Sequence, residues 1–240
     1  MGITDTPETE RDWLELHIRA LFVHDDRSRI ATLNALDGGR APRFFLGRTP
    51  DGNRWRNRDD VPDAVAVQLE ALCEDEPAPA DPREPPLHDA DYRQVLATHA
   101  PIPEVWAGPA YRFPVDLPPP IDGVVRLTAS TAALLRDGDL EPWLEDIGQS
   151  EPLMALVQDG RAVSICGSVR ITPEAHEAGV ETSAAARGHG FAVAVVKAWA
   201  SAVRELGAEP LYSTSWENTA SQAVARKLRL IPYAADYWLT

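Results

Sequence analysis

Apolar positions along the chain fall into blocks whose spacing alternates between helical and strand-like. Residues 7–24, "PETERDWLELHIRALFVH", carry Trp13, Leu16, Ile18, Leu21 and Phe22 at helical spacing, with Pro7 suited to the first turn. The run "PRFFLGR" predicts a strand that ends in the turn-rich "TPDGN". An amphipathic helix is predicted over 62–73. Two proline-laden segments follow, 77–86 and 101–120. The second holds seven prolines, so neither regular helix nor central strand is expected there. Its Trp106, Tyr111 and Phe113 predict packing onto a domain, and "PPP" at 118–120 suits polyproline II.

From residue 121 the pattern sharpens. "VVRLTAS" opens the segment, and "ALLRDGDLEPWLEDI" is helical in character, with an interrupting Asp-Gly. Asp159-Gly160 between apolar flanks predicts a two-residue hairpin. Val163, Ile165, Val169 and Ile171 then alternate, with Gly167 in the middle slot of that face. In "AHEAGVETS", Val180 and Thr182 share one strand face, and Glu181 and Ser183 the other. Val196, Trp199, Val203 and Leu206 mark a helix that Gly207 closes. "PLYSTSW" predicts a strand, and Asn218 an N-cap for "TASQAVARKLRL", whose Val224 and Leu228 face one side. "PYAADYWLT" is a last strand. The order is hairpin, strand, helix, strand, helix, strand, a mixed α/β pattern without internal repeats, and a boundary is expected near residue 120.

Composition narrows the function classes. The net charge of −14 disfavours nucleic acid, which rewards clustered Lys and Arg, and favours a cationic partner through steering. No apolar run is long enough for a membrane span, and no secretory leader is read at the N-terminus, although "MGITDT" has the outline of a myristoylation signal. Two cysteines, Cys73 and Cys166, cannot form a disulfide framework or a cysteine-based zinc site. A cytoplasmic protein without a bound metal is expected.

Chemistry enters at "AAARGHGFAVAVVKAWASAVREL", residues 184–206. Glycine weakens a helix by roughly 0.8–1 kcal/mol relative to alanine, yet Gly188 and Gly190 stand at the mouth of a strong helix. A helix start offers amide N–H groups without intrahelical partners and the positive end of the dipole. Glycine there lets a phosphate approach bare backbone. The nucleotide-hydrolase loop GxxxxGK[ST] is absent, Lys197 lies too deep in the helix for that role, and GxGxxG fails at residue 193.

Arg187-Gly188-His189-Gly190-Phe191-Ala192 resembles the pyrophosphate motif [RQ]-x-x-G-x-[GA] of the Gcn5-related N-acetyltransferases (GNAT). The succession around it agrees with that family: a hairpin and strand before, then helix, strand, and a helix that begins at an asparagine and ends in "KL". Residues 121–240 are therefore similar to a GNAT domain, and "YSTSWENTASQAVARKL" is similar to a bacterial subgroup with an extended N-terminal part. Residues 1–120 carry no motif of the family and are expected to form a partly helical α/β region that contributes to the acceptor site.

The resemblance implies a GNAT-type acyl-CoA N-acyltransferase fold with a mixed, splayed central sheet. Acetyl-CoA would enter between "GVETS" and "LYSTS", with its pyrophosphate on the amides of Gly188, His189, Gly190 and Phe191, and Ala192 completing the motif. Its pantetheine would pair with backbone around Val180 to Thr182. Arg187 would add charge, Asn218 would cap and touch the coenzyme, and His189 is read as an exposed bystander. An amine acceptor would attack the thioester. Glu181 is the first candidate base, with Glu177 and His176 upstream as water-linked alternatives. Many relatives carry a tyrosine seven residues after the helix-opening asparagine; here that position is Ala225. Ser221, Tyr212, the more remote Tyr233 or water would then protonate the thiolate. Arg229 replaces the usual glycine of "KLG". A homodimer is compatible with this reading. The rivals are an acyl-CoA-binding sensor without catalysis and a protein-interaction module.

Overall fold

A computed structural model describes residues 9–36, 38–117 and 123–240, and the chain divides into two compact units. The first comprises residues up to Tyr111 with Ser213–Thr219 and Pro232–Thr240; the second comprises Arg112–Tyr212 and Ala220–Ile231. Pro7, "MGITDT", the polyproline run at 118–120 and the boundary expected at 120 lie outside the described residues.

In the first unit, α1 spans Glu10–Leu21. Thr9 and Asp12 form a reciprocal capping box that satisfies two N-terminal amides. The helix is shorter than the apolar spacing predicts, because Phe22 leaves helical geometry and begins β1 (Phe22–His24), which pairs with β2 (Ile30–Leu33). The expected strand is β3 (Phe44–Arg48), joined by the "TPDGN" turn to β4 (Arg54–Asn57). Helix α2 covers Asp63–Asp75 and α3 covers Asp89–Ala97; the sequence pattern had not indicated α3. Strand β5 (Val105–Arg112) lies within the proline-rich segment and is not an edge strand, which corrects the expectation of no central strand there. Pro109 is tolerated because the neighbouring segment is met by carbonyls: Ala107 and Pro109 accept the amides of Trp216 and Thr214. The two segments run so close that a Cβ on Gly108 would collide with the Thr214 carbonyl oxygen. Within this unit the strand order is β4-β3-β11-β5, where β11 is the C-terminal strand Ile231–Leu239, antiparallel to β3. Phe44, Leu46, Leu69, Tyr92, Tyr237 and Leu239 form its core, and the rings of Trp106 and Trp238 pack at a 35° tilt with centroids 4.7 Å apart.

The second unit holds the site. Strand β6 (Val124–Arg126) is followed by 3-10 segments at Ala129–Leu135 and Glu141–Leu144, where the sequence pattern suggests a helix. Asp137 at φ 58° breaks the run into pieces too short to propagate. The predicted hairpin forms from β7 (Met154–Gln158) and β8 (Arg161–Ile171), with Asp159 and Gly160 at φ 49° and 77°, as a tight two-residue turn requires. Strand β9 (Ala175–Thr182) pairs antiparallel with β8, and β10 (Glu209–Ser213) pairs parallel with β9, giving the order β10-β9-β8-β7-β6. This is the mixed α/β architecture that the sequence order implies.

Helix α4 (Phe191–Glu205) packs over β7, β8 and β9. Val195, Val196, Trp199 and Val203 are fully buried, and each valine contributes about 1.5–3 kcal/mol relative to exposure. Leu206, expected to continue this stripe, is instead 58% exposed, because it caps the helix where Gly207 turns the chain at φ 84°. Phe113 packs against Trp199, and Arg204 donates to the carbonyls of Phe113 and Val115. Helix α5 spans Thr219–Lys227, with Val224 and Leu228 both buried as the spacing predicts.

Candidate functional site

The site begins where a parallel ladder stops. Strand β10 meets β9 at only three positions: Glu209 opposite Ala175, Pro210 opposite His176 and Leu211 opposite Glu177. Beyond Glu177, β9 continues through Ala178–Thr182, paired with β8 alone, and among the described residues no strand joins its other edge. Peptide groups on such an edge can pair with an extended ligand. The two strands read as "GVETS" and "LYSTS" thus part at this end.

Immediately after β9 the chain makes a short 3-10 turn, Ala184–Ala186, and then the glycine-rich loop. Gly188 and Gly190 adopt φ 82° and 81°, and a Cβ at either would meet nothing within 4 Å. Backbone conformation, not crowding, therefore calls for glycine. Gly190 is the N-cap of α4, without a side-chain cap. Among the described residues, no protein acceptor takes the amide N–H of Gly188, His189, Gly190, Phe191 or Ala192. Amide donors of this kind, at the positive end of a helix dipole, are suited to receive an anion. His189 turns its Nδ1 toward the Arg187 carbonyl at 3.0 Å and stacks its ring on Phe191, while Arg187 is exposed and reaches the Thr182 carbonyl at 3.4 Å.

The two faces of β9 carry different chemistry. On the α4 side stand His176, Val180 and Thr182. Trp199 Nε1 donates to Ser168 Oγ at 3.0 Å, and that oxygen lies 2.8 Å from His176 Nδ1. Burial pushes the His176 pKa below its ordinary value. His176 is thus held in a buried polar chain beneath α4, away from the carboxylate candidates. Thr182 Oγ1 pairs with Ser164 at 2.8 Å.

Glu177, Gly179 and Glu181 alternate on the opposite face. Glu177 is 2% exposed and sits at the fork, level with the last β10 residue to pair. Glu181 is exposed and accepts a 2.7 Å hydrogen bond from Trp143 Nε1. Sequence reasoning did not single out Trp143. Its signal lies in two glycines, since Gly167 and Gly179 are cross-strand partners and the indole shares the space their missing side chains leave with Leu153 and Val169.

On β10 and α5, the buried Tyr212 hydroxyl lies 2.6 Å from Ser221 Oγ, so two of the thiolate-acid candidates meet in one hydrogen bond. Ala225 is buried at the position where many relatives hold tyrosine. Asn218 directly precedes α5, and its amide donates to Ser215. Tyr233 is buried on β11 in the first unit, where its ring packs against Trp13 and His17.

Residues 160–239 match the family model of FR47-like proteins. Among solved structures, the chain is similar to a GNAT-family protein from Novosphingobium aromaticivorans, at 19% identity and TM-score 0.46 over 57% of this chain and 65% of that one. It is also similar to a GNAT-family acetyltransferase from Colwellia psychrerythraea, at 12% identity and TM-score 0.49 over 98% and 99%. A third likeness is to a tandem GNAT protein from the clavulanic acid biosynthesis pathway, at 13% identity and TM-score 0.47 over 98% and 94%. The chain thus spans just under two thirds of the Novosphingobium protein's length. No curated protein sequence matches it. The family match runs from β8 through β9, the glycine-opened helix α4, the parted strand β10 and α5 into β11, so this stretch of the chain is similar to FR47-like proteins and has a mixed α/β fold.

Proposed function

We propose that the protein transfers an acetyl group from acetyl-CoA to a primary amine. The observation that carries this reading is the pairing of β10 with β9 over three residues only, followed directly by five backbone amides without protein acceptors. Gly188, His189, Gly190, Phe191 and Ala192 would hold the pyrophosphate, with Arg187 adding charge. The open edge of β9 at Val180 and Thr182 would pair with the pantetheine arm, and Asn218 would contribute at the start of α5.

An alkyl ammonium with a pKa near 10.4 must lose a proton before attack. In this reading the proton passes, directly or through water, to Glu181, with Glu177 behind it at the fork. The free amine then attacks the thioester carbonyl. The C–N bond forms, the C–S bond breaks, and the nitrogen loses a second proton. One proton leaves to solvent and the other ends on the CoA thiol, delivered by Ser221, by Tyr212 bonded to it, or by water. The acceptor would be a cationic amine, in keeping with the net charge of −14, and the protein cytoplasmic, in keeping with two unpaired cysteines. Among the described residues no helix is long and apolar enough to cross a membrane.

The buried Ala225 favours one second reading, an acyl-CoA-binding protein without turnover. Two measurements separate the possibilities. CoA at 100 times its dissociation constant should stabilise the fold by about 2.7 kcal/mol, so an unmoved melting temperature would remove both readings. Turnover of acetyl-CoA with spermidine, kanamycin, free amino acids and short peptides should identify an amine acceptor; binding with no turnover on any of them would leave only the sensor.

A further inference from the structure

We infer that Trp143 is a positioning residue for the Glu181 carboxylate, an assignment that rests on reading Glu181 as the base. Glu181 lies near the end of β9, exposed, on the face opposite α4. A carboxylate there has free rotation about three side-chain torsions, and proton transfer needs one orientation. The indole N–H of Trp143 supplies it, bonding to one carboxylate oxygen at 2.7 Å and leaving the other to face an incoming ammonium.

The rest of the unit is built to hold that indole. A Cβ on Gly167 would collide with Leu153 Cδ1 and come within 3.1 Å of Trp143 Cζ3, and one on Gly179 would collide with Val169 Cγ1 and come within 3.3 Å of Trp143 Cη2. These glycines face each other across β8 and β9, two pairs from Ile165 and Glu181 and so on the same face of the sheet. Neither has a positive φ, so conformation does not account for them; close packing does, shared by the indole with Leu153 and Val169. The segment that carries Trp143 is tied to the same strands at two further points. Arg161 donates to the Asp137 carbonyl at 2.8 Å, and the Ala184 amide donates to the Asp139 carboxylate at 2.9 Å. Asp139 and Trp143 therefore grip the chain on either side of Thr182, where β9 gives way to the phosphate-cradle loop.

Trp143→Phe keeps a ring over the glycine pair and deletes the donor. With the best amine of the panel above, it should lower kcat about 10-fold, leave KM for acetyl-CoA within about two-fold, and leave the melting temperature close to that of the parent. Trp143→Leu should lower kcat similarly and also lower the melting temperature. Glu181→Gln should lower kcat further. In that background Trp143→Phe should cost nothing more, because the group it positions is gone. In the parent, the Trp143 indole N–H resonance should move on Glu181→Gln and not on Glu177→Gln. Equal losses from Trp143→Phe in both backgrounds, or no loss in the parent, would overturn the positioning role while leaving Glu181 as base. An unchanged kcat in Glu181→Gln, or no turnover at all, would overturn the base reading and the inference with it.

Discussion

Arg229 occupies a left-handed backbone position, φ 55°, at the close of α5, where the family pattern has glycine. The amide of Leu230 reaches back to the Ala225 carbonyl at 2.9 Å, the six-to-one bond of a glycine-type helix ending. The turn therefore closes as it would with glycine, at the expense of strain in an exposed arginine. Left-handed geometry costs a non-glycine residue roughly 1–2 kcal/mol, offset in part by the greater unfolded-state freedom of glycine. Arg229→Gly should raise stability by up to about 1 kcal/mol in denaturant titration, without altering CoA binding. His176 offers a test by pH. Its folded pKa lies below its ordinary value because of burial, so the unfolded chain takes up the proton first. This contribution is intact above about pH 6.5 and is lost as pH falls through that value. The melting temperature should drop between pH 7.5 and 6, and the drop should shrink in His176→Gln. His24, whose pKa is lowered by burial and then by Arg56, acts in the same direction.

At the scale of elements, two glycines make a controlled comparison. Gly190 at the start of α4 and Gly160 in the β7–β8 turn have nearly the same φ, 81° and 77°, and neither has any atom within 4 Å of a would-be Cβ. Aspartate at either imposes similar backbone strain, so stability should fall by similar amounts. Only Gly190→Asp places a carboxylate in the amide cradle, and it alone should abolish the thermal shift with CoA. Equal retention of that shift would remove the phosphate role. The elements also mark where sequence pattern is legible. The 159–160 turn, β9, α4 and β10 follow from local rules of spacing and turn chemistry. Strand β5 did not, because proline counts against a strand unless the neighbour is known to supply amides to its carbonyls. Nor did the 3-10 segments around Trp143, whose apolar spacing imitates a helix.

Over the whole molecule, the charge of −14 acts on the two proposed substrates with opposite sign. It repels CoA and attracts an ammonium acceptor over distances that salt screens beyond about 8–10 Å. The proposed phosphate contacts would be short amide bonds that salt weakens little. Raising ionic strength from about 20 to 200 mM should raise KM for a cationic amine while leaving or tightening the CoA affinity. A parallel rise in both constants would contradict the assignment of the cradle to backbone amides.

What the sequence determined by itself is whatever depends on neighbours along the chain: the period of α4, the hairpin turn, the glycines that a left-handed backbone needs, and the order of strands and helices that set Gly188 and Gly190 at the mouth of α4. Tertiary structure alone decided how far β10 accompanies β9, which face of β9 receives His176 or Glu181, that Trp143 rests on Gly167 and Gly179, and that the last strand pairs with β3. Those features join residues tens to nearly two hundred positions apart, and no local spacing encodes which distant backbone will complete a hydrogen bond or fill the space a glycine leaves.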